Sequence, residues 1–258
     1  MARASNRFAA ALAALALTAC GGGAAQEQAG VSEERAAKPR LGLFTTLPIY
    51  WGEAQDISAL IDGGGEPDWV RTELETKFEI VPLDTLEADA LEGLERVLLA
   101  QPRPLAPSEN VAFDAFLAQG GKAVIMADPM LTRHSELPIG DKRRPQDVVL
   151  LSPILTRLGV ELRFDESQPE GERTIYQAGR NYPVNLAGQF VAANDGSSDR
   201  SCFALGPGLL ARCSNGKGEA FLYADAALLE WEGEGPVPQV RRDALWSLLD
   251  PLVPAAAR

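Results

Sequence analysis

The chain has 258 residues, of which 46% are hydrophobic, and its formal net charge is −12. This composition is ordinary for a globular protein with a real core, and it excludes general disorder. An acidic chain without a basic stripe also disfavours nucleic acid as a partner.

The N-terminal segment predicts a lipoprotein signal. Two arginines precede an apolar run, residues 8–19, that is far shorter than the roughly 20 residues of a membrane-spanning helix. The run ends in Leu-Thr-Ala-Cys, which resembles the lipobox of bacterial lipoproteins. We therefore expect residues 1–19 to be cleaved as a signal peptide and Cys20 to be lipidated. The alternative is an ordinary signal peptide with an accidental cysteine.

Residues 20–40 predict a lipidated, flexible tether. They are mostly small or polar and show no periodicity, and twenty such residues span about 25 Å root-mean-square as a random coil. Glycine, and not aspartate, follows Cys20, which by resemblance to Gram-negative sorting rules slightly favours the outer membrane over the inner one. We expect residues 41–258 to form a single α/β domain in the cell envelope, facing the periplasm.

The central stretch, residues 96–129, predicts a parallel βαβ unit. Residues 97–100 form an apolar run without polar alternation, which is typical of a strand buried on both faces. Pro107 suits the first position of a helix that ends at the glycines of residues 120–121. A second apolar strand, residues 123–127, follows. Strand, crossover helix and strand in this order give a right-handed unit in a sheet covered by helices.

Further segments extend this unit in both directions. Residues 41–45 and 78–84 predict strands, the second near a sheet edge because Pro82 cannot donate to a ladder. From residue 165 onward, short segments separated by Gly, Asn, Asp and Ser suggest an antiparallel extension in the C-terminal half. Other helices are expected at residues 69–77, 150–158 and 240–252. The expected fold is α/β, a mainly parallel Rossmann-like sheet in three layers.

Cys202 and Cys213 predict a disulfide. Once Cys20 is assigned to lipid, these two cysteines are an even pair in an oxidising compartment. A hairpin that turns at residues 206–209 places them directly opposite each other, close enough to bridge. Two free structural thiols are the alternative.

The candidate binding edge lies beyond the carboxyl ends of the strands, where ligands gather in open α/β sheets. Gln101 and Asp128 follow the two central strands there. Tyr50 and Trp51 follow the first strand, although two aromatics beside a proline also occur in ordinary packed loops. A long polar connection after Asp128 supplies the remaining candidates. The full set is Tyr50, Trp51, Gln101, Asp128, His134, Asp141, Arg143 and Arg144.

Residue types with catalytic potential are few. The single histidine, His134, excludes a multi-histidine zinc site. A carboxylate-only site for a hard cation is the alternative, with Asp128, Asp141 or Asp225 as ligands, but their spacing matches no known ion loop and carboxylates at strand ends are commonly helix caps. We therefore expect no metal and no cofactor. There is no G-x-S-x-G nucleophile elbow. Asp128, His134 and Ser135 include the residue types of a base and a nucleophile. The alternative interpretation is a solvated loop that carries a surface histidine. The basic residues 142–144 form either a solvated face or a contact to lipid headgroups or an acidic partner.

Several motifs together resemble one family. They are Leu98-Leu99-Ala100-Gln101-Pro102-Arg103, Gly120-Gly121-Lys122-Ala123, Ala127-Asp128-Pro129 and Leu137-Pro138-x-Gly140-Asp141-x-Arg143-Arg144-Pro145. These motifs look like the uncharacterised domain associated with ABC-type transport systems, which also occurs in gliding-motility auxiliary proteins of the GldG type. The resemblance implies a class I glutamine amidotransferase-like fold that lacks the catalytic cysteine and histidine. Asp128 stands where the elbow cysteine would follow its strand.

The function implied by this resemblance is non-catalytic. It is an accessory or substrate-engaging module with a protein partner in an ABC-type envelope complex. One alternative is a stand-alone lipoprotein that binds a small ligand or a glycan, which predicts a deep apolar pocket with few polar groups at the edge. A hydrolase that uses Asp128 and His134 is the less favoured alternative.

Overall fold

The computed structural model describes residues 37–52, 67–135, 137–193 and 200–255. The predicted signal peptide, Cys20 and the tether up to residue 36 lie outside the described residues. Ala37–Arg258 belongs to one compact unit. None of the helices in the described ranges combines the length and the apolar character that crossing a bilayer demands.

Strands and helices alternate in the first half of the described chain, and strands dominate the second. The strands are β1 (Arg40–Thr45), β2 (Glu79–Pro82), β3 (Arg96–Ala100), β4 (Lys122–Met126), β5 (Val160–Arg163), β6 (Arg173–Gln177), β7 (Arg180–Val184), β8 (Gln189–Ala192), β9 (Arg200–Leu205), β10 (Leu210–Asn215) and β11 (Gly218–Tyr223). The helices are α1 (Trp69–Lys77), α2 (Pro107–Ala118), α3 (Ser152–Leu158) and α4 (Gln239–Leu249), with short 3₁₀ turns at Ala227–Leu229 and Asp250–Leu252.

A seven-stranded sheet in the order β2-β1-β3-β4-β11-β10-β9 forms the core. The first five strands of this order run parallel, and β10 and β9 are antiparallel to their neighbours. The predicted βαβ unit is β3, α2 and β4, in which Leu98 pairs with Val124. The α/β class, with a mainly parallel sheet and antiparallel strands in the C-terminal half, is thus confirmed.

Helices cover the sheet in two pairs. Trp246 of α4 donates to the carboxylate of Glu73 in α1 at 3.0 Å, and Arg157 of α3 forms an ion pair with Asp114 of α2. Consecutive residues of β3 and β4 are buried, which requires cover on both faces of the sheet. The result is the expected three-layer arrangement.

The antiparallel part differs from the expectation. Only β9 and β10 extend the main sheet, whereas β5 pairs with β8 and β6 pairs with β7 in two separate ribbons. Partly buried and exposed residues alternate along the first four positions of β6, as in a strand with one solvated face. Such strands cannot take the place of β3 or β4, which are buried on both faces.

Two local predictions are confirmed. Strand β2 lies at the edge of the sheet and ends at Pro82. Cys202 and Cys213 occupy opposite positions of the β9–β10 hairpin and are joined by a disulfide. The folded region begins slightly earlier than expected, because β1 starts at Arg40 and the Lys38 ammonium donates to the carbonyl of Glu75.

Candidate functional site

Polar side chains follow three neighbouring parallel strands at the carboxyl edge of the sheet. Gln101 comes directly after β3, Asp128 comes two residues after β4, and Asp225 comes two residues after β11. All three are fully buried, with 0% exposure. Since a buried polar group is costly unless it is hydrogen-bonded, the partners of these three groups reveal their role.

The Gln101 side chain ties three segments together. Its Nε2 donates to the carbonyl oxygens of Asp128 (3.1 Å) and Gln146 (2.8 Å), and its Oε1 accepts the N–H of Asp128 (2.9 Å). The backbone of Gln101 lies at φ +44°, which costs free energy for a residue with a side chain. The strained strand end is therefore at Gln101, and not at Asp128, to which the resemblance assigned the elbow position.

The Asp128 carboxylate is occupied by backbone donors. Its Oδ1 accepts the N–H of Met130 (2.8 Å), and its Oδ2 accepts the N–H of Ala226 (2.9 Å) on the neighbouring strand connection. His134 is exposed, whereas Ser135 is buried and its hydroxyl accepts a local backbone N–H. The expectation that Gln101 and Asp128 line an accessible edge needs correcting, because both fold inward to satisfy loop backbone.

Asp225 repeats the arrangement of Asp128. Its Oδ1 accepts the N–H of Ala227 (2.6 Å) and its Oδ2 accepts the N–H of Asn185 (2.9 Å). Burial raises the pKa of both acids, to about 7 for Asp128, and the charge of Asp128 raises the pKa of Asp225 further. The pKa of each of these two carboxyl groups therefore lies above that of an exposed aspartate.

A groove of about 570 Å³ opens at the carboxyl ends of β1 and β2 and is lined by Tyr50 and Trp51. The two rings meet edge to face with centroids 4.8 Å apart, and Trp51 is 67% exposed. The Arg71 guanidinium lies 4.3 Å from the centroid of the Tyr50 ring and donates to the Tyr50 carbonyl at 2.8 Å. The aromatic pair is thus fixed beside the groove, and most of the Trp51 surface remains accessible.

Three basic side chains and one acidic side chain, Asp84, also line the groove. Arg103, Lys142 and Arg143 all line it. Arg103 forms a two-pronged ion pair with the buried Glu109, at 2.7 and 2.8 Å. The hydrogen bond from Arg103 is the main reason that the pKa of Glu109 falls to about 2. Arg103 was not among the predicted site residues, and the signal in the sequence that could have identified it is Glu109 in the first turn of the helix that follows.

The remaining predicted site residues, Asp141, Arg143 and Arg144, lie on the long loop after Asp128 and have different surroundings. Asp141 accepts two hydrogen bonds from the Arg143 guanidinium (3.1 and 2.7 Å), which lowers the pKa of Asp141 to about 2. Arg144 turns inward and donates to the carbonyl of Leu137 at 2.9 Å. The structure therefore brings Tyr50, Trp51 and Arg143 together in the groove. Asp141 supports Arg143, and Arg144 braces the loop.

Other concavities have a different character. A polar crevice of about 230 Å³ beyond β4 and β11 is lined by Arg133, Glu230, Trp231 and Arg241, none of which the sequence analysis proposed. A concavity of about 1080 Å³ lies at the opposite, amino edge of β3 and β4. In the described ranges no three His, Cys, Asp or Glu side chains cluster in a way that could hold a metal ion.

Comparisons with known proteins yield similarity at the level of fold. No family model and no curated protein matches the chain. Among solved structures, Gan42B, a GH42 β-galactosidase from G. stearothermophilus, matches 83% of this chain and 30% of its own at 13% identity, with a TM-score of 0.48. A β-galactosidase from Rahnella sp. R3 matches 85% of this chain and 32% of its own at 14% identity, with a TM-score of 0.48.

A smaller protein gives a comparable result. A ThuA-like protein from Bacteroides uniformis matches 76% of this chain and 86% of its own at 10% identity, with a TM-score of 0.40. The chain spans only about a third of the length of the two β-galactosidases. Similarities at these scores and identities assign no family to the chain.

Proposed function

We propose that this chain is a non-catalytic, lipid-anchored extracytoplasmic module of an ABC-type envelope transport system, in which it acts as an accessory or substrate-engaging part. The observation that carries the proposal is the groove at β1 and β2, with its fixed aromatic pair and basic wall. The resemblance of residues 98–103 and 137–145 to the GldG-type transport-associated domain supports the choice of system. The lipobox-like sequence that ends at Cys20, from which we expect lipidation, supports the location.

The strand-end side chains support a non-catalytic role. A nucleophile or general base must present a lone pair to a substrate. Both oxygens of Asp128 accept backbone hydrogen bonds, and all the hydrogen bonds of the Gln101 amide join main-chain groups. Each of these carboxylate oxygens keeps a second lone pair, but Asp128 is fully buried. Hydrolysis through Asp128 would therefore first require the surrounding loops to open and admit a substrate.

The groove has the composition of a protein contact. Aromatic and arginine side chains are the usual energetic anchors of interfaces. Covering the exposed part of Trp51 removes on the order of 150 Å² of mostly apolar surface from water, which stabilises a complex by about 2–4 kcal/mol. Arg71 holds Tyr50, which contacts Trp51, so little conformational entropy is lost when this pair is covered.

A second candidate function is a stand-alone small-ligand or glycan binder. The observation in its favour is the volume of the groove, about 570 Å³, which lies within the range of small-molecule sites. This candidate requires that the purified chain bind a ligand without any protein partner, which isothermal titration against panels of glycans and small ligands measures.

Co-purification from the native envelope tests the main proposal. The full-length chain with an affinity tag is extracted in mild detergent, and the retained proteins are identified by mass spectrometry. We expect an ABC ATPase and permease with the wild type and an at least tenfold lower recovery with Trp51→Ala. Tyr176→Ala is the matched control, because Tyr176 is also an exposed aromatic (73%) but lies on the β6–β7 ribbon.

Two results would contradict the proposal. One is the absence of ABC subunits from the wild-type preparation, which together with ligand binding by the isolated chain favours the solitary binder. The other is equal recovery with the wild type and with Trp51→Ala, which would place the contact away from the groove.

A further inference from the structure

A projecting turn next to the groove carries an apolar tip. Ile139 is 93% exposed, more than any other exposed large hydrophobic residue in the described part of the chain. Its neighbours Pro138 and Gly140 are also exposed. A single exposed apolar side chain is common on protein surfaces, so the meaning of Ile139 depends on the groups that surround it.

The turn has a fixed shape. The N–H of Asp141 donates to the carbonyl of Pro138 (3.1 Å), and the N–H of Arg144 donates to the carbonyl of Asp141 (3.1 Å). The Arg144 guanidinium secures the base of the turn through the carbonyl of Leu137. Arg143 is oriented by its ion pair with Asp141. Ile139 is therefore presented by a braced support.

Cations stand beside the apolar tip. Lys142 and Arg143 are both exposed, and they belong to a run of three basic residues in a chain whose net charge is −12. An apolar side chain flanked by cations suits the boundary of an anionic bilayer, where the apolar group enters and the cations remain among the headgroups. The charge of the turn is thus complementary to anionic lipid and opposite to that of the rest of the chain.

We infer that this turn docks the domain on an anionic phospholipid surface, with Ile139 inserted at the headgroup boundary and with Lys142 and Arg143 at lipid phosphates. The tip alone presents far less surface than the roughly 800 Å² that each partner of a stable protein complex buries, and a single protruding apolar side chain suits a fluid lipid surface. The inference goes beyond the proposed function. Since Lys142 and Arg143 also line the groove, docking places the mouth of the groove next to the membrane.

The expected contributions are modest individually. Each cation near an anionic surface strengthens partitioning about fivefold, and burial of the isoleucine side chain strengthens it about tenfold. These contacts orient a domain that a lipid anchor already holds near the membrane, since one weak surface signal gives only reversible binding.

Protection from trypsin tests the inference, because Lys142 and Arg143 are themselves cleavage sites. The full-length protein, purified from membranes with its anchor, is reconstituted into phosphatidylcholine vesicles with or without phosphatidylglycerol. We expect cleavage at residues 142–143 to be at least fivefold slower with phosphatidylglycerol, and this protection to weaken at high salt. Cleavage after Lys217, in the turn before β11 at the opposite edge of the sheet, should be the same in both preparations.

Variants separate the contribution of the tip from other effects. Ile139→Ser keeps the trypsin sites and should restore rapid cleavage, whereas Val111→Ser, at a 69% exposed position of α2, should leave the protection intact. Equal cleavage with and without phosphatidylglycerol, or protection that survives Ile139→Ser, would overturn the inference. Protection only in the presence of envelope proteins would also overturn it and indicate an acidic protein partner.

The two proposals fail separately. If the turn docks on lipid but the groove binds no transporter, Ile139→Ser abolishes the protection from trypsin, and Trp51→Ala does not alter the recovery of ABC subunits. If the groove binds a transporter but the turn does not meet lipid, the opposite pattern appears.

Discussion

Replacing Gln101 with methionine should lower the free energy of unfolding substantially, although the two side chains have similar volumes. Methionine fills nearly the same space but offers neither donor nor strong acceptor, so the change removes three hydrogen bonds of 2.8–3.1 Å and leaves little cavity. The N–H of Asp128 and the carbonyl of Gln146 then lose their side-chain partner. A buried polar group without a partner costs about 1–3 kcal/mol, which gives a loss of about 3 kcal/mol in the free energy of unfolding.

Urea unfolding near pH 7, followed by tryptophan fluorescence and circular dichroism, measures this loss. A loss of about 3 kcal/mol is a large share of the 5–15 kcal/mol that stabilises a typical domain. Gln119→Met is the matched control, because Gln119 is exposed at the end of α2 and its exchange should change stability by less than about 0.5 kcal/mol. The strained φ of residue 101 is kept in both proteins, so backbone strain does not enter the comparison.

A loss below about 1 kcal/mol for Gln101→Met would refute the reasoning. It would mean that water or loop rearrangement replaces the amide at little cost, and that Gln101 is not a brace. A normal stability combined with loss of partner binding would go further and make Gln101 a contact residue.

Three other predictions concern stability. Burial raises the folded-state pKa of Asp128 and Asp225, so the folded protein binds protons that the unfolded chain releases. The free energy of unfolding should therefore fall as pH rises from about 4 through about 7, by up to about 1.4 kcal/mol per pH unit for each proton. A urea midpoint that stays constant over this range would contradict the prediction. The pKa of Glu109 is lowered, so its ion pair contributes stability above about pH 4.5 that is lost towards about pH 2. Glu109→Gln should lower the free energy of unfolding by about 2 kcal/mol at pH 7, and the variant should lose less stability than the wild type on acidification. Exchange of Cys202 and Cys213 for serine should cost about 2–3 kcal/mol by thermal unfolding, and thiol titration of the unfolded, unreduced protein should detect neither cysteine.

The sequence was sufficient for features that depend on neighbouring residues. The hairpin between Cys202 and Cys213 is a local structure, and its turn follows from the glycines at positions 206 and 208. The same holds for the edge position of Pro82, which follows from its missing N–H. The apolar runs of β3 and β4 predict burial on both faces because no polar residue interrupts them.

Long-range pairing was beyond what the sequence pattern encodes. Strand β5 pairs with β8, about thirty residues later, and not with the main sheet. Likewise, the pattern located Gln101 and Asp128 at strand ends but not the direction of their side chains. That direction depends on Gln146 and Ala226, which arrive from distant loops. Arg103 was overlooked although its partner Glu109 is only six residues away, because the groove that Arg103 lines is formed with the distant ends of β1 and β2.

We propose that the buried strand-end groups brace the edge of the sheet and that the exposed groove binds the partner. The most direct test compares the recovery of the ABC subunits with Trp51→Ala and with Gln101→Met, each under conditions where circular dichroism shows the fold intact. We predict a loss of at least tenfold for Trp51→Ala and an unchanged recovery for Gln101→Met. Unchanged recovery for Trp51→Ala together with loss for Gln101→Met would contradict the account.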